Sequence, residues 1–151
     1  MSRSTLSRLS AAMIALAAAG FSTPAFAGQC PPDQFRANGL DARPTQPSNV
    51  TDDVIGSIDL GPEIGVAGRD LRLRRLVVQP GGVVPFHSHD GRPALIITVS
   101  GEITEHRTSC AVPIVHRAGE VSREAEGIGH YWVNHGSEPA VLLSADVKAQ
   151  D

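Results

Sequence analysis

The segment Pro85-Phe86-His87-Ser88-His89 carries two histidines separated by one residue. Side chains two positions apart on a β-strand project from the same face, so both imidazoles can bind one metal ion. Turn-forming residues stand on either side of this segment, in Pro80-Gly81-Gly82 and in Asp90-Gly91. The sequence therefore predicts a short strand that ends in a pair of metal ligands.

A third candidate ligand, His130, lies much further along the chain. It belongs to Gly127-Ile128-Gly129-His130-Tyr131-Trp132-Val133-Asn134, which is also predicted as a strand. It can approach the pair if the two strands lie opposite each other. Three imidazoles suit iron, zinc, copper, nickel or manganese and leave positions open for water, oxygen or substrate. We expect the other histidines to be structural or exposed, since they have no partner at metal spacing; they are His106, His116 and His135.

Short apolar runs separated by turn residues continue on both sides of these segments. Such spacing is typical of an antiparallel sandwich or barrel, and no helix is needed to explain it. The predicted strands are Asp53 to Leu60, Leu71 to Gln79, Val83 to His87, Ala94 to Val99, Glu102 to His106, Ala111 to His116, His130 to Asn134 and Ala140 to Val147.

The second of these predicted strands breaks its own alternation. Leu71 and Leu73 fall on one face, and Arg72 and Arg74 fall on the other. In the same register, Arg75 shares the face of the two leucines. Either a β-bulge intervenes and leaves a solvated basic stripe, or Arg75 points into the barrel and anchors a ligand through its charge.

Residues 1–27 have the features of a secretory signal peptide. Arg3 and Arg8 form a positive region, Ala11 to Gly20 an apolar region and Ala25-Phe26-Ala27 a cleavage site. The apolar region is shorter than the roughly 20 residues that span a bilayer, so we expect no membrane-embedded segment. The chain then divides into a signal peptide at 1–27, an extended N-terminal arm at 28–51 and one domain at 52–151. We expect export to the periplasm or the extracellular space.

The charge balance excludes some partners. The chain has 13 basic and 16 acidic side chains, a net charge of −3. Removing residues 1–27 takes away two arginines, which gives 11 − 16 = −5. This acidic balance argues against nucleic acid or an anionic membrane as the partner. The 15 glycines and 11 prolines favour short strands and tight turns over long helices.

Two cysteines, Cys30 in the arm and Cys110 in the domain, are compatible with a disulfide in an oxidising compartment. In the chain-entropy model such a bridge stabilises the fold by about 4 kcal/mol. The alternative is two free thiols. We expect no metal site from these cysteines, because the sequence has no Cys-x-x-Cys spacing.

The residues around the histidines resemble the two motifs of the cupin family. Gly81, five residues, His87-x-His89 and then Gly101 have the spacing of the first motif. Gly119, the triplet Ala125-Glu126-Gly127, His130 and Asn134 follow the second motif, with Ala125 where the family usually has proline. Because both motifs occur in order, the stretch from Leu71 to Asp146 is similar to a small single-domain cupin.

The resemblance implies an all-β fold, the cupin double-stranded β-helix or jelly-roll barrel, with a metal ion in its mouth. The family's ligands are His, His, Glu and His, and the histidines map onto His87, His89 and His130. The glutamate is expected at position 93 or 94, where this chain has Pro93 and Ala94. Loss of a carboxylate favours Fe(II), Zn(II), Ni(II) or Cu(II) over Mn(II). Fe(II) is the favoured cofactor, since thiol dioxygenases of this family use iron in a similar three-histidine site.

Strand parity predicts further side chains at the site. If Ala94 faces inward, Ile96 and Thr98 do so too, and Trp132 shares the face of His130. Trp132 forms either a wall against a substrate or part of the core. Arg92 either binds an anionic ligand at the mouth or pairs with Asp90.

We expect the remaining glutamates at the surface. Glu102 and Glu105 lie beyond the turn Ser100-Gly101, and nothing in the sequence brings either of them to the metal. Three others are predicted to form a solvated acidic loop, in which Glu126 is a candidate to support His130 from behind; they are Glu120, Glu124 and Glu126.

Three functions are compatible with these residues. The first is a metal-dependent oxidoreductase, similar to a dioxygenase, that acts on a small molecule. The second is a non-catalytic module that binds a metal or a small ligand, which fits the missing carboxylate. The third is a structural barrel without a working site. Exposed sheet edges are compatible with a homodimer.

Overall fold

The computed structural model describes residues 29–37, 40 and 43–150. The predicted signal peptide lies outside these residues. The strands are β1 (Ser48–Asp59), β2 (Arg69–Ser88), β3 (Ala94–Ser100), β4 (Glu102–Arg107), β5 (Ile114–Arg117), β6 (Val121–Glu124), β7 (Gly129–Val133) and β8 (Ala140–Ala149). A 3₁₀ turn covers Pro32–Gln34, and one short helix, α1, covers Leu60–Ile64. No helix among the described residues has the length and apolar character needed to cross a membrane.

The described strands form one antiparallel sheet that curls into a nearly closed barrel. Seven of them are hydrogen-bonded in the order β5-β4-β7-β2-β8-β3-β6, and β1 pairs with β2. Strand β2 is the centre of this arrangement, because it pairs with β1, β7 and β8 along its length. The all-β jelly-roll barrel predicted from the sequence is therefore confirmed.

Four strands differ from those predicted by more than two residues at an end, and one of them is β5, which begins at Ile114 and not at Ala111. The two segments predicted on either side of Pro80-Gly81-Gly82 form the single strand β2, in which Gly81 adopts a positive φ of 72°. Strand β1 begins at Ser48, within the stretch predicted as an arm. Strand β6 was predicted as a solvated loop, and this was wrong, because Ser122 and Glu124 face the barrel interior.

The interior of the barrel holds the apolar core. Nine buried side chains form one cluster, and Trp132, Ile103 and Leu142 are the largest of those that are fully buried. Burial of a large apolar side chain stabilises a fold by about 1.5–3 kcal/mol. The cluster therefore anchors the strands that carry the polar side chains nearer the mouth.

Near the mouth, the usual pattern of apolar inside and polar outside is reversed. Arg72 and Arg74 point inward on β2, whereas Leu71 and Leu73 are 38% and 39% exposed on the outer face. Pairing of β2 with β8 runs in continuous register from Arg69 to Val78, and Arg75 is exposed. Both predictions for Arg75 were therefore wrong, since the leucine face of this strand is the outer one.

Cys30 and Cys110 form a disulfide. Both cysteines are buried, and they pack with Ile114 in a small cluster of their own. Next to the bridge, Phe35 pairs with Cys110 as an isolated β-bridge. The segment before β1 is thus attached covalently to the loop between β4 and β5.

Two motif residues have a structural explanation. Gly101, in the turn between β3 and β4, has a φ of 71°, and a Cβ at this position would lie 2.6 Å from the carbonyl oxygen of Pro139. Asn134 donates hydrogen bonds of 2.8 Å to the carbonyl oxygens of Val78 and Glu138, which ties the end of β7 to β2. These two positions maintain the turns at the end of the strands away from the three histidines.

Candidate metal centre

The three predicted histidines converge at the mouth of the barrel. Strand β2 pairs with β7 so that the Cα atoms of His87 and His130 are direct partners, after a register shift that follows Val84. His89 follows immediately after β2, and its backbone N–H donates to the carbonyl oxygen of Ile128 at 2.9 Å. The chain before β7 thus holds the loop that carries the second histidine.

The Nε2 atoms of the three rings lie close together. His87 Nε2 is 3.2 Å from His89 Nε2 and 3.1 Å from His130 Nε2. The three rings are tilted against one another, with centroids 4.5 to 5.1 Å apart, so they surround a point rather than stack. Three nitrogen atoms around one point form a metal-binding arrangement.

The Nδ1 atoms of the same rings all face hydrogen-bond acceptors. His87 Nδ1 lies 2.9 Å from the carbonyl oxygen of Pro85, and His89 Nδ1 lies 2.9 Å from that of Arg92. His130 Nδ1 lies 2.5 Å from Oε1 of Glu105. These acceptors place the proton on Nδ1 of each ring. Each Nε2 therefore presents a lone pair to its neighbours, and a cation is the natural partner for all three.

Burial keeps two of the rings neutral. Burial, together with the charge of the nearby His130, lowers the pKa of His87 to about 4 and that of His89 to about 3. A neutral imidazole is the form that binds a metal ion. At neutral pH these ligands therefore need not lose a proton before binding.

Glu105 supports the site from behind, and its prediction as a surface residue was wrong. The side chain is fully buried on β4, where Oε1 accepts from His130 and Oε2 lies 2.8 Å from Nε2 of His116. Burial raises its pKa, but the hydrogen bonds from His116 and His130 and the charge of Arg107 outweigh burial and lower it below its usual range. Glu105 is thus a buried carboxylate that orients two histidines.

Arg107 supplies the positive charge for this buried layer. Its Nε donates to Glu105 at 2.6 Å, and its Nη2 donates to Glu124 at 2.9 Å and to Ser122 at 2.5 Å. Burial raises the pKa of Glu124, and the charge of Glu105 raises it further. Glu105, Glu124 and His130 also lie close enough to hold a metal. The guanidinium already provides a cation there, so we assign the metal to the three histidines.

Ala94 occupies the position at which the glutamate was expected. It is buried, and its Cα is paired with those of Glu124 on β6 and Asp146 on β8. Glu124 Oε2 lies 3.4 Å from His130 Nδ1, on the side of the ring away from Nε2. The carboxylates nearest His130 therefore lie behind it and not among the candidate ligands.

A small cavity adjoins the histidine cluster. Its volume is about 20 Å³, and one water molecule needs about 10–15 Å³ on this measure. Trp132 and Ile96 line it, whereas Thr98 is buried deeper in the barrel. Trp132 also packs against the ring of His116 at 4.6 Å, so it is both a cavity wall and a core residue.

Arg92 lies near the buried carboxylate of Asp146 at the mouth. Its Nη1 lies 3.7 Å from Oδ2 of Asp146. The carboxylate partner predicted from the sequence was Asp90. The backbone carbonyl of Arg92 also accepts the hydrogen bond from His89 Nδ1. The turn after the histidine pair thus orients His89 through the backbone of Arg92 and places the Arg92 guanidinium near Asp146.

The sequence offered a partial signal for the residues that the prediction missed. Ile103, Glu105 and Arg107 alternate along β4 and share one face, so an inward Ile103 implies two inward charges. On β6, by contrast, apolar Val121 is exposed and polar Ser122 is buried. Alternation alone would have assigned the two faces of β6 the wrong way round.

The fold and the three-histidine cluster define the class of domain. Residues 74–146 match the family described as Cupin domain. The chain therefore carries a cupin domain, as its motifs predicted.

The proteins that this chain resembles in sequence include two from plants. The chain is 36% identical over 82 residues to auxin-binding protein ABP19b of Prunus persica, covering 52% of this chain and 39% of that protein. It is 30% identical over 115 residues to germin-like protein 8-14 of Oryza sativa subsp. japonica, covering 74% and 54%. The matched regions thus span between about two fifths and half of these relatives.

Solved structures show the same fold. An oxalate oxidase in complex with the substrate analogue glycolate has a TM-score of 0.52 at 20% identity, covering 77% of this chain and 60% of that one. A predicted oxalate decarboxylase from Thermotoga maritima has a TM-score of 0.53 at 17% identity, covering 74% and 96%. At this identity the likeness concerns the fold.

Proposed function

We propose that the protein binds one divalent transition-metal ion through Nε2 of His87, His89 and His130. We further propose that this ion, preferably Fe(II), is the cofactor of an oxidoreductase that acts on a small molecule. The observation that carries the proposal is the convergence of the three Nε2 atoms while every Nδ1 faces an acceptor. Imidazole nitrogen suits Fe(II), Zn(II), Ni(II) and Cu(II), whereas Mn(II) prefers oxygen ligands.

The surrounding residues fit a reactive metal site. When bound, such an ion supplies a Lewis acid and redox chemistry, with coordination positions left open by three protein ligands. Glu105 and Arg107 hold His130 in place, while Trp132 and Ile96 form apolar walls of the adjoining cavity.

A non-catalytic binding role is the alternative, and one observation favours it. The residues that line the cavity include no carboxylate, and its titratable side chains are Arg74 and the two ligands His87 and His89. General acid–base catalysis usually employs a side chain within hydrogen-bond reach of the substrate. Under this alternative, the barrel holds a metal or a small ligand without turnover.

Metal analysis of the purified protein tests the binding step. We expect close to one metal ion per chain in the parent and a loss of that metal in the double variant His87→Ala/His89→Ala. The matched control is His135→Ala, because His135 is exposed and lies outside the cluster. Equal metal content in the parent and the double variant would contradict the proposal.

Oxygen consumption then separates turnover from binding. The Fe(II)-loaded protein is mixed with a panel of thiols, diketones and phenols, and the double histidine variant serves as the blank. Uptake of oxygen that depends on both substrate and histidines supports the oxidoreductase. Metal binding without uptake across the panel supports the binding module.

Export is part of the same proposal. The signal-peptide pattern at 1–27 and the disulfide between Cys30 and Cys110 support it, because disulfides persist in oxidising compartments. Fractionation of cells that express the full chain, with mass determination of the mature protein, tests this step. A protein that stays inside the cell with residues 1–27 attached would contradict export.

A further inference from the structure

His116 contacts the carboxylate that supports the metal centre. It is fully buried on β5, where its Cα is the partner of that of Ile103 on β4. Glu105 lies two residues further along β4 on the same face, so His116 and Glu105 are diagonal neighbours inside the barrel. Nε2 of His116 lies 2.8 Å from Oε2 of Glu105. His116 is therefore connected to the ligand His130 through a single carboxylate.

The two oxygens of this carboxylate have different partners. Oε1 of Glu105 accepts from Nδ1 of His130 at 2.5 Å and from Nε of Arg107 at 2.6 Å. Oε2 has His116 at 2.8 Å, and the hydroxyl of Ser122 is further away, at 3.5 Å. The terminal torsion of a glutamate is soft, so a carboxylate held through one oxygen rotates more easily than one held through both. The bond from His116 thus fixes the rotation that keeps Oε1 at His130.

The contacts of His116 also place its proton. A carboxylate that faces Arg107 is an acceptor only, so Nε2 of His116 is the donor in its bond to Glu105. Nδ1 of His116 is buried and has no hydrogen-bond partner within the described residues, so a proton on it would have no acceptor. His116 therefore carries its ring proton on Nε2.

Packing alone does not account for a histidine at this position. The ring lies against Trp132, with centroids 4.6 Å apart, and an apolar ring would provide the same contact. A buried nitrogen without a partner destabilises a fold, and phenylalanine would avoid that loss. What histidine adds is the donor to Glu105.

We propose that His116 is a positioning residue of the metal centre, whose Nε2–H holds Glu105 in the rotation that orients His130. The inference rests on the proposed function, since His130 is one of the three ligands assigned there. His116 acts through Glu105 and does not contact the ligand cluster itself. Loss of its bond should leave the three ligands in the protein but weaken their affinity for a metal, as loss of other supporting hydrogen bonds does.

The Zn(II) affinity of the disulfide-bonded protein, measured by competition with a chromophoric chelator, tests the proposal. His116→Phe keeps an aromatic ring but has no donor, and we expect Zn(II) binding to weaken by about three- to tenfold. His116→Leu is a second variant without a donor, in case phenylalanine does not fit. His116→Gln offers an amide N–H in place of Nε2–H, so it should restore the affinity to within about twofold of the parent.

Ile114→Val is the matched structural control. Ile114 is buried on the same strand, and its Cα is the direct partner of that of Glu105, but it offers no hydrogen bond to the carboxylate. Loss of one methyl group should lower the stability and leave Zn(II) affinity within about twofold of the parent. Thermal unfolding of every variant shows that each one is folded and separates lost stability from lost affinity.

Nitrogen-15 NMR of the imidazoles in the metal-free protein gives a second readout. In the parent we expect the ring proton on Nε2 of His116 and on Nδ1 of His130. The Nδ1 proton of His130 should move upfield or be lost through exchange in His116→Phe and His116→Leu, and it should return in His116→Gln. A general loss of packing would not be restored by the amide.

The outcomes separate this inference from the proposed function. If Zn(II) binds to the parent no more tightly than to His87→Ala/His89→Ala, the metal proposal fails, while the NMR signal of His130 still tests the role of His116. If Zn(II) binds through the histidines, but both donor-free variants bind it as tightly as the parent, the positioning proposal alone fails. It also fails if His116→Gln or Ile114→Val loses as much affinity as His116→Phe.

Discussion

Glu105 Oε1 lies 2.5 Å from Nδ1 of His130, and both side chains are fully buried. The carboxylate fixes the ring so that its Nε2 faces the other two histidines. A histidine ligand held in this way by a carboxylate is oriented and made more basic toward a metal. The charge of Glu105 is in turn balanced by Arg107, so the metal centre rests on a buried polar layer.

Glu105→Gln should therefore weaken metal binding, although the side chain keeps nearly the same size. The amide keeps the shape of the side chain but removes the charge that His130, His116 and Arg107 face. We expect a loss of about 10- to 100-fold in Zn(II) affinity, measured by competition with a chromophoric chelator.

The matched control for this variant is Glu102→Gln. Glu102 lies on the same strand, but its side chain is 51% exposed. Its substitution should leave Zn(II) affinity within about twofold of the parent, since exposed ion pairs contribute little. Equal affinities of Glu105→Gln and the parent would show that the buried carboxylate does not support the site.

The metal-free protein should lose stability in mildly acidic solution. His87 and His89 titrate near pH 6.5 in the unfolded chain, but burial lowers their pKa to about 4 and about 3 in the folded protein. Between these limits the unfolded state binds more protons, so the free energy of unfolding falls as the pH falls. Each histidine contributes at most about 1.4 kcal/mol per pH unit.

Urea unfolding of chelator-treated protein at a series of pH values measures this slope. His89→Asn should flatten the part of the curve between pH 6.5 and 4, whereas His135→Asn, at an exposed position, should not change it. A parent whose stability stays constant over this interval would contradict the burial of neutral imidazoles.

Ala94→Glu should change the metal preference. The new carboxylate would stand where the cupin motif places its acidic ligand, next to Glu124 and Asp146 in the sheet. We expect Mn(II) to bind about tenfold or more tightly than in the parent, because Mn(II) prefers oxygen ligands. Without metal the variant should be less stable, since like charges would be buried together.

Ala94→Gln separates charge from size in this experiment. It fills the same space without the negative charge, so it should leave Mn(II) affinity near that of the parent. Isothermal titration with Mn(II) on all three proteins measures the difference. Tighter binding by both variants would indicate that filling space, and not the carboxylate, matters at this position.

Removal of the disulfide should destabilise the protein without altering the metal site. Cys30→Ala/Cys110→Ala frees the segment before β1 from the loop between β4 and β5. We expect a loss of up to about 4 kcal/mol in the free energy of unfolding, as loop closure of this length implies. Chemical denaturation measures the loss, and unchanged Zn(II) stoichiometry is the control. An unchanged stability would mean that the bridge does not constrain the unfolded chain.

Much of the barrel could be predicted because its turns are determined by the residues of the turns themselves. Glycine and proline positions marked the boundaries of most strands. His87, His89 and His130, which the motif spacing identified as ligands, lie close together in the structure. These signals depend on neighbouring residues or on a single backbone requirement, such as the positive φ of Gly101. The convergence of the ligands followed once two strands lay side by side.

The charged interior could not be predicted in the same way. Alternation identifies the two faces of a strand but does not tell which face is buried. On β2 and β6 the inner face is the polar one, because Arg72 pairs with Asp146 and Ser122 bonds with Glu124 and Arg107 inside the barrel. Arg72 and Asp146 lie on different strands, as do Ser122 and Arg107. Only the folded sheet shows that the charges balance one another.

Crystals of the protein loaded with one equivalent of Zn(II), measured at the zinc absorption edge, test the central claim most directly. The anomalous map should contain one strong peak, bonded to Nε2 of His87, His89 and His130 at about 2.0–2.1 Å. A peak held by Glu105 and Glu124, a peak confined to the protein surface, or no peak at all would contradict the account.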